Sequence, residues 1–200
     1  MAADTAALIE YLGLGPCDVI GYSLGGYIAQ QLAVTCPALV RRLVLVAGVG
    51  AAPAYALARA RAAVDLAFAI DPLPSSFDVA DLLLSLHSMP QLQNDDDAVK
   101  VTISLIEAGG PWTNPGRLGQ YQADLAWLQD TSHLDRLRHI TSPCLAMAFE
   151  HDCWFPPRVV RDAAQRMAGC QYVELSGLGH GAPLLAPPRE VNPVIAKFLD

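Results

Sequence analysis

Short apolar runs of strand length alternate with amphipathic stretches at both ends of this chain. The runs occupy residues 17–22, 40–47, 144–149 and 171–175. Helical patterns lie beside them at residues 4–12, 23–35, 158–167 and 188–199. The run at 40–47 is apolar without alternation, which indicates a strand covered on both faces, as in a parallel sheet between helices. The sequence therefore predicts an α/β fold built from right-handed βαβ units.

The middle of the chain, residues 51–139, carries no strand pattern. Apolar periodicity, with breaks at proline and glycine, predicts helices at about 54–69, 78–88, 95–108, 117–130 and 132–139. An all-helical insertion between two strands of a parallel sheet is typical of a cap over a site. We therefore predict a core formed by residues 1–52 and 139–200 and a helical cap formed by residues 53–138.

The segment Gly21-Tyr22-Ser23-Leu24-Gly25-Gly26 lies where the first predicted strand meets a helix. The pattern G-x-S-x-G in a strand–turn–helix setting is typical of a nucleophile elbow. Such a sharp turn leaves little room beside the serine, and we expect Gly21 and Gly25 to be glycine because a Cβ would clash there. Ser23 is therefore the candidate nucleophile.

Two further reactive side chains follow later strands. Asp152 comes just after the run at 144–149, and His180 lies in the loop after the run at 171–175. The carboxyl ends of parallel strands share one edge of a sheet, so Ser23, Asp152 and His180 are expected to meet there.

The chemistry needs all three groups. A serine hydroxyl must lose its proton during attack, an imidazole can take that proton near neutral pH, and a carboxylate holds the imidazole in the required tautomer. The alternative for Asp152 is a capping role at a helix start. Glu150 is the nearest rival for the acid.

With these motifs in order, the chain resembles the α/β-hydrolase superfamily, in its esterase, lactonase and cofactor-free haloperoxidase-like branch. The resemblance rests on residues 21–26, on Asp152 with Pro156 four residues later, and on Gly179-His180 before a final amphipathic helix. It implies a Ser-His-Asp catalytic triad, with the backbone amide of Leu24 as one donor of the oxyanion hole. It implies no cofactor and no metal.

The family's earlier strands, and the loop that usually gives the second oxyanion donor, have no counterpart before residue 17. The resemblance therefore implies an α/β-hydrolase fold that is incomplete at its N-terminal side. Three explanations are a fragment of a longer protein, which we favour, a chain completed by a partner or by self-pairing, and a degenerate relative. The exposed edge of the strand at 17–22 makes self-association possible.

Composition narrows the function further. The net charge is −7, from 13 basic and 20 acidic residues, and no basic stripe suggests a nucleic-acid partner. No apolar run has the length of a membrane span, and the N-terminus has no signal-peptide pattern. The five cysteines have no metal-ligand spacing and indicate a reducing compartment. We therefore predict a cytoplasmic protein that acts on a small molecule.

The leading hypothesis is a serine hydrolase that cleaves an ester, lactone or thioester of a small, largely apolar substrate. Trp112, Met89, Trp154 and Phe155 are candidate walls of the substrate pocket. One alternative is a non-catalytic or incomplete relative that binds a ligand or partner. Another is a protein that uses the same triad for acyl transfer or perhydrolysis.

Overall fold

A four-stranded parallel sheet forms the centre of the computed structural model, which describes residues 1–70, 74–109, 114–185 and 188–200. The strands stand side by side in chain order: β1 (Cys17–Tyr22), β2 (Val40–Val46), β3 (Cys144–Phe149) and β4 (Gln171–Leu175). All four were predicted within one residue of these bounds. The α/β prediction, with a parallel sheet flanked by helices, is confirmed.

Helices account for most of the remaining described residues. They are α1 (Ala2–Tyr11), α2 (Leu24–Thr35), α3 (Ala54–Ala69), α4 (Ser75–Leu86), α5 (Met89–Asn94), α6 (Asp96–Ala108), α7 (Asn114–Gln129), α8 (Ser132–Arg136), α9 (Pro157–Ala164), α10 (Ala182–Leu185) and α11 (Pro188–Leu199). Short 3-10 turns follow α2 and α8. None of the described helices is both long and apolar enough to cross a membrane.

Both faces of β2 are buried from Leu43 to Val46, as its continuous apolarity predicted. Leu43 and Leu45 of β2 pack into one apolar cluster together with residues of α2 and α9. Val44 and Val46 pack into a second cluster on the opposite face, with Val191 of α11. Successive side chains of a strand point to opposite faces, so a strand between two helical layers is apolar at every position.

Two short helices, α5 and α10, were not predicted. Met89-Pro90 was expected to break the helical pattern, but Pro90 lies in the first turn of α5, where a missing N–H costs nothing. Ser88 and Gln91 form a capping box at this helix start: Gln91 N–H donates to the Ser88 hydroxyl, and Ser88 N–H donates to the Gln91 carboxamide.

Helices α3 to α7 lie between β2 and β3 in the chain, and we call them the interstrand helices. Within this group α3 packs against α7 and α4 packs against α6. Their position matches the segment predicted as a cap, and the division into core and cap stays a prediction.

Candidate active site

Ser23 occupies the turn between β1 and α2 in a backbone conformation that residues other than glycine rarely adopt. Its φ is 52° and its ψ is −122°. The turn is held by the Ser23 amide, which donates to the Val46 carbonyl at 3.1 Å, and by the Gly26 amide, which donates to the Ser23 carbonyl at 2.8 Å. A strained residue that is fixed from both sides is a frequent feature of functional sites. The turn presents the Ser23 hydroxyl to a cavity.

Close backbone approaches explain two glycines of this turn. A Cβ on Gly21 would lie 2.4 Å from the Gly25 carbonyl oxygen, and one on Gly26 would lie 2.5 Å from the Gly48 carbonyl oxygen. A Cβ on Gly25 would meet nothing within 4 Å, so the predicted clash at Gly25 is wrong. The crowded partner position is Gly26, because α2 crosses there against the segment that follows β2.

The structure brings the three predicted reactive side chains into one hydrogen-bonded chain. His180 Nε2 lies 2.9 Å from Ser23 Oγ, and His180 Nδ1 lies 2.8 Å from Asp152 Oδ2. Asp152 is 3% exposed and His180 is 5% exposed. This burial keeps water from competing for the bonds that orient the imidazole.

The second oxygen of Asp152 is fixed by backbone amides. Asp152 Oδ1 accepts hydrogen bonds from the amides of Trp154 at 2.8 Å and Phe155 at 2.9 Å. Trp154 and Phe155 belong to the loop before α9, whose N-cap is Pro156 without a side-chain cap bond. The alternative role of Asp152 as a helix cap is therefore wrong. Glu150 accepts a hydrogen bond from the Gly177 amide at 2.8 Å instead, which leaves Asp152 as the acid at His180.

Contacts from three sides hold His180. The Tyr22 hydroxyl donates to the His180 carbonyl at 2.8 Å, and the Phe155 ring stacks on the imidazole with centroids 5.9 Å apart. The next residue, Gly181, donates its amide to the Leu86 carbonyl at 2.7 Å. We call the loop between β4 and α10, which carries His180, the histidine loop. Because Leu86 is the last residue of α4, this bond links the histidine loop to the interstrand helices.

A cavity of about 210 Å³ opens in front of Ser23 and His180. Its lining residues come from the loops that follow β1, β3 and β4 and from helices α2, α3, α4 and α7. They are Ser23, Leu24, Tyr27, Arg59, Ala60, Ala63, Leu82, Ser85, Leu86, Gln120, Tyr121, Asp124, Trp154, Phe155 and His180. Trp154 and Phe155 were predicted as pocket walls and do line it. The prediction for Met89 is wrong, since Met89 is 58% exposed and not part of the wall. Trp112 lies outside the described residues.

The cavity wall contains two charged residues that sequence reasoning missed, so it is less apolar than expected. Arg59 of α3 has its guanidinium 4.4 Å from the Trp154 ring centre and bonds to both carboxylate oxygens of Asp81. Asp124 of α7 faces the same space, where burial raises its pKa to about 6. Positive charge on Arg59 and His180 opposes part of that rise. No local motif marks either residue in the sequence.

The predicted oxyanion donor, the Leu24 amide, stands at the start of α2. Amides in the first turn of a helix have no acceptor within the helix and point toward its N-terminal end, where negative charge is stabilised. Leu24 lines the cavity beside Ser23. Among the described residues, β1 is the first strand of the sheet, so the loop expected to give a second donor has no counterpart. Those same residues contain no cluster of acidic, cysteine or histidine side chains that could hold a metal.

The chain belongs to the alpha/beta hydrolase family, whose family model matches residues 1–194. Among curated proteins it is similar to "Putative non-heme bromoperoxidase BpoC" of Mycobacterium tuberculosis, with 34% identity over 99% of this chain and 73% of the relative. It is also similar to homoserine O-acetyltransferase of Deinococcus radiodurans, with 28% identity over 100% of this chain and 62% of the relative.

Solved structures agree with this assignment. The crystal structure of BpoC from M. tuberculosis H37Rv superposes with a TM-score of 0.89 at 33% identity, covering 100% of this chain and 72% of that one. A thermophilic esterase from Thermogutta terrifontis superposes with a TM-score of 0.77 at 22% identity, covering 99% of this chain and 70% of that one. At this lower identity the likeness concerns the fold alone.

Proposed function

We propose that this protein is a serine hydrolase that cleaves an ester, lactone or thioester of a small substrate. The observation that carries the proposal is the continuous hydrogen-bonded chain from Ser23 Oγ through the His180 ring to the Asp152 carboxylate. It stands at the mouth of a cavity large enough for a short acyl chain. We further propose that the interstrand helices form the cap of this site.

In the first half of the reaction, Ser23 Oγ attacks the substrate carbonyl while its proton moves to His180 Nε2. Asp152 stabilises the imidazolium through the bond to Nδ1. The carbonyl oxygen gains negative charge in the tetrahedral intermediate, and the Leu24 amide donates to it. When the C–O or C–S bond breaks, the leaving group takes the proton from His180 and Ser23 stays acylated.

In the second half of the reaction, a water molecule hydrolyses the acyl-enzyme. His180 removes a proton from a water molecule, the resulting hydroxide attacks the acyl carbonyl, and Ser23 regains its proton as the acid leaves.

The same acyl-enzyme can pass its acyl group to an alcohol or to a peroxide. Relatives named as an acetyltransferase and a bromoperoxidase support this second candidate, acyl transfer or perhydrolysis. Product analysis with added glycerol or hydrogen peroxide separates these outcomes from hydrolysis.

The first test is covalent labelling with a fluorophosphonate, which reacts with an activated serine. We expect labelling at Ser23, with hydrolysis of p-nitrophenyl acetate lowered about 10³-fold or more in Ser23→Ala, because that variant lacks the nucleophile. Ser104→Ala is the matched control, since Ser104 is an exposed serine of α6 outside the cavity. Absence of labelling in folded protein would contradict the proposal and support a non-catalytic, ligand-binding relative.

The cellular site of the reaction is also a proposal. All five cysteines are free thiols, one buried and the others half-buried. Free thiols persist in reducing compartments, so we propose that the protein is cytoplasmic. Secretion or periplasmic export in a fractionation experiment would contradict this.

A further inference from the structure

The Asp124 carboxyl on α7 is an ionisable group of the cavity that the proposed reaction does not use. It shares the cavity wall with Ser23 and His180. Within the part of the chain that the structure describes, Asp124 is half-buried and takes part in no hydrogen bond or ion pair. A carboxylate withdrawn from water without a partner costs free energy.

The nearby cation is already engaged. Arg59 Nε donates to Asp81 Oδ1 at 3.0 Å, Nη2 bonds to the other Asp81 oxygen, and the guanidinium lies over the Trp154 ring. Asp78, another acid of the interstrand helices, accepts two bonds from Arg117, at 2.9 and 2.7 Å. Asp78 and Asp81 therefore each have an arginine partner, whereas Asp124 lines the cavity with no ion-pair partner among the residues that the structure describes.

We propose that Asp124 determines substrate specificity by accepting a hydrogen bond from an N–H or O–H group on the acyl part of the substrate. The substrate class is then a small hydroxyacyl or aminoacyl ester or lactone rather than a plain fatty acyl ester. The proposal rests on the hydrolase function assigned to the same site. It differs from the expectation of a largely apolar substrate, which stays a prediction.

The size and chemistry of the cavity agree with this class. A volume of about 210 Å³ holds an acyl chain of a few carbon atoms between Ser23 and α7. Hydrogen bonds to an ionised carboxylate are stronger than those between neutral groups. A site built around such a bond also rejects analogues that lack the donor, because the buried acceptor is then left unpaired.

Binding to a variant that cannot turn over tests this directly. In Ser23→Ala, ligand-observed NMR titrations compare methyl 3-hydroxybutyrate with methyl butyrate, which differ by one hydroxyl. We expect the hydroxy ester to bind at least about tenfold tighter in Ser23→Ala. The additional change Asp124→Leu should abolish that preference. The additional change Asp65→Leu is the matched control and should keep it, because Asp65 is an exposed acid of α3 outside the cavity.

Two results would overturn the inference: equal binding of the two esters to Ser23→Ala, or a preference that survives Asp124→Leu. Because binding is measured without turnover, its outcome is independent of whether the wild-type protein hydrolyses either ester.

A third ligand, methyl 3-aminobutyrate, distinguishes an N–H donor on the substrate from an O–H donor. Asp124→Asn keeps an acceptor oxygen without charge, so it should retain part of a preference for the hydroxyl and lose a preference for the ammonium.

Discussion

At the scale of single residues, the site separates two kinds of carboxyl group. Asp152 is buried but receives two backbone amides and an imidazole, so each of its oxygens has a partner. Asp124 is half-buried without a hydrogen-bond or ion-pair partner among the described residues, and partial burial raises its pKa to about 6. The first arrangement stabilises a fixed negative charge, and the second leaves a charge that the fold tolerates at a cost.

That cost predicts a stabilised variant. The pKa of Asp124 is about 6 in the folded protein against an ordinary value of 3.8, so the folded state holds the proton more tightly. Ionisation of Asp124 therefore lowers the free energy of unfolding as pH rises from about 4, and the full loss is present above pH 6. The charged or titratable groups that act with it are Arg59, His180 and Tyr27.

Asp124→Asn removes this ionisation. We expect it to raise the free energy of unfolding by about 2 kcal/mol at pH 8 and by less than about 1 kcal/mol at pH 4. Urea denaturation of both proteins at the two pH values measures the difference. A gain of equal size at both values would show that it does not come from the carboxylate charge.

At the scale of elements, the histidine loop and the interstrand helices share a contact of backbone against backbone. A Cβ on Gly179 would lie 2.6 Å from the Ser88 nitrogen and 2.8 Å from the His87 carbonyl carbon. Two residues later the Gly181 amide bonds to the Leu86 carbonyl. The position of His180 thus depends on where α4 ends.

Substitution of Gly179 tests this dependence. Gly179→Ala forces the loop away from Ser88, and we expect kcat/KM for p-nitrophenyl acetate to fall at least about tenfold, with about 1–3 kcal/mol lost in stability from overpacking. Gly119→Ala is the control, because a Cβ there meets nothing within 4 Å. Wild-type activity in Gly179→Ala would mean that the loop position does not govern His180. Activity assays and urea denaturation supply both readouts.

Comparing the sequence-based predictions with the structure shows which elements and residues could be predicted. The strands and the three reactive residues were predictable, because apolar runs mark buried strands and parallel strands end at one edge. Arg59 and Asp124 were not, because their role arises only when α3 and α7 pack together over the sheet. The need for glycine at position 26 was not predicted for a similar reason, because the crowding there comes from Gly48, which is distant in sequence.

At the scale of the whole molecule, β1 forms one edge of the described sheet, next to β2 alone. Its Ile20 is 51% exposed, and α1 with its C-cap residue exposes Leu8, Tyr11 and Leu12. An open strand edge with apolar neighbours favours pairing with another chain. The net charge of −7 opposes association only in part, since salt screens exposed charges.

We therefore expect sedimentation velocity to show self-association that grows with protein concentration. Ile20→Lys should shift the distribution toward the monomer, because a charge on an edge strand discourages pairing. Phe68→Lys is the control: Phe68 is 65% exposed but lies on helix α3 and not on an edge strand. A wild-type protein that stays monomeric at every concentration, or equal effects of the two variants, would contradict a role for the β1 edge.

The stretch between β2 and β3 has a further consequence for how this fold can change over evolution. The two strands are parallel neighbours, so the chain must return along the full length of the sheet between them, which takes about a dozen residues or more. Here the same stretch supplies α3, α4 and α7 to the cavity wall. A lineage can therefore shorten, extend or exchange these helices to accept new substrates. Complete excision would break the path that joins the two strands.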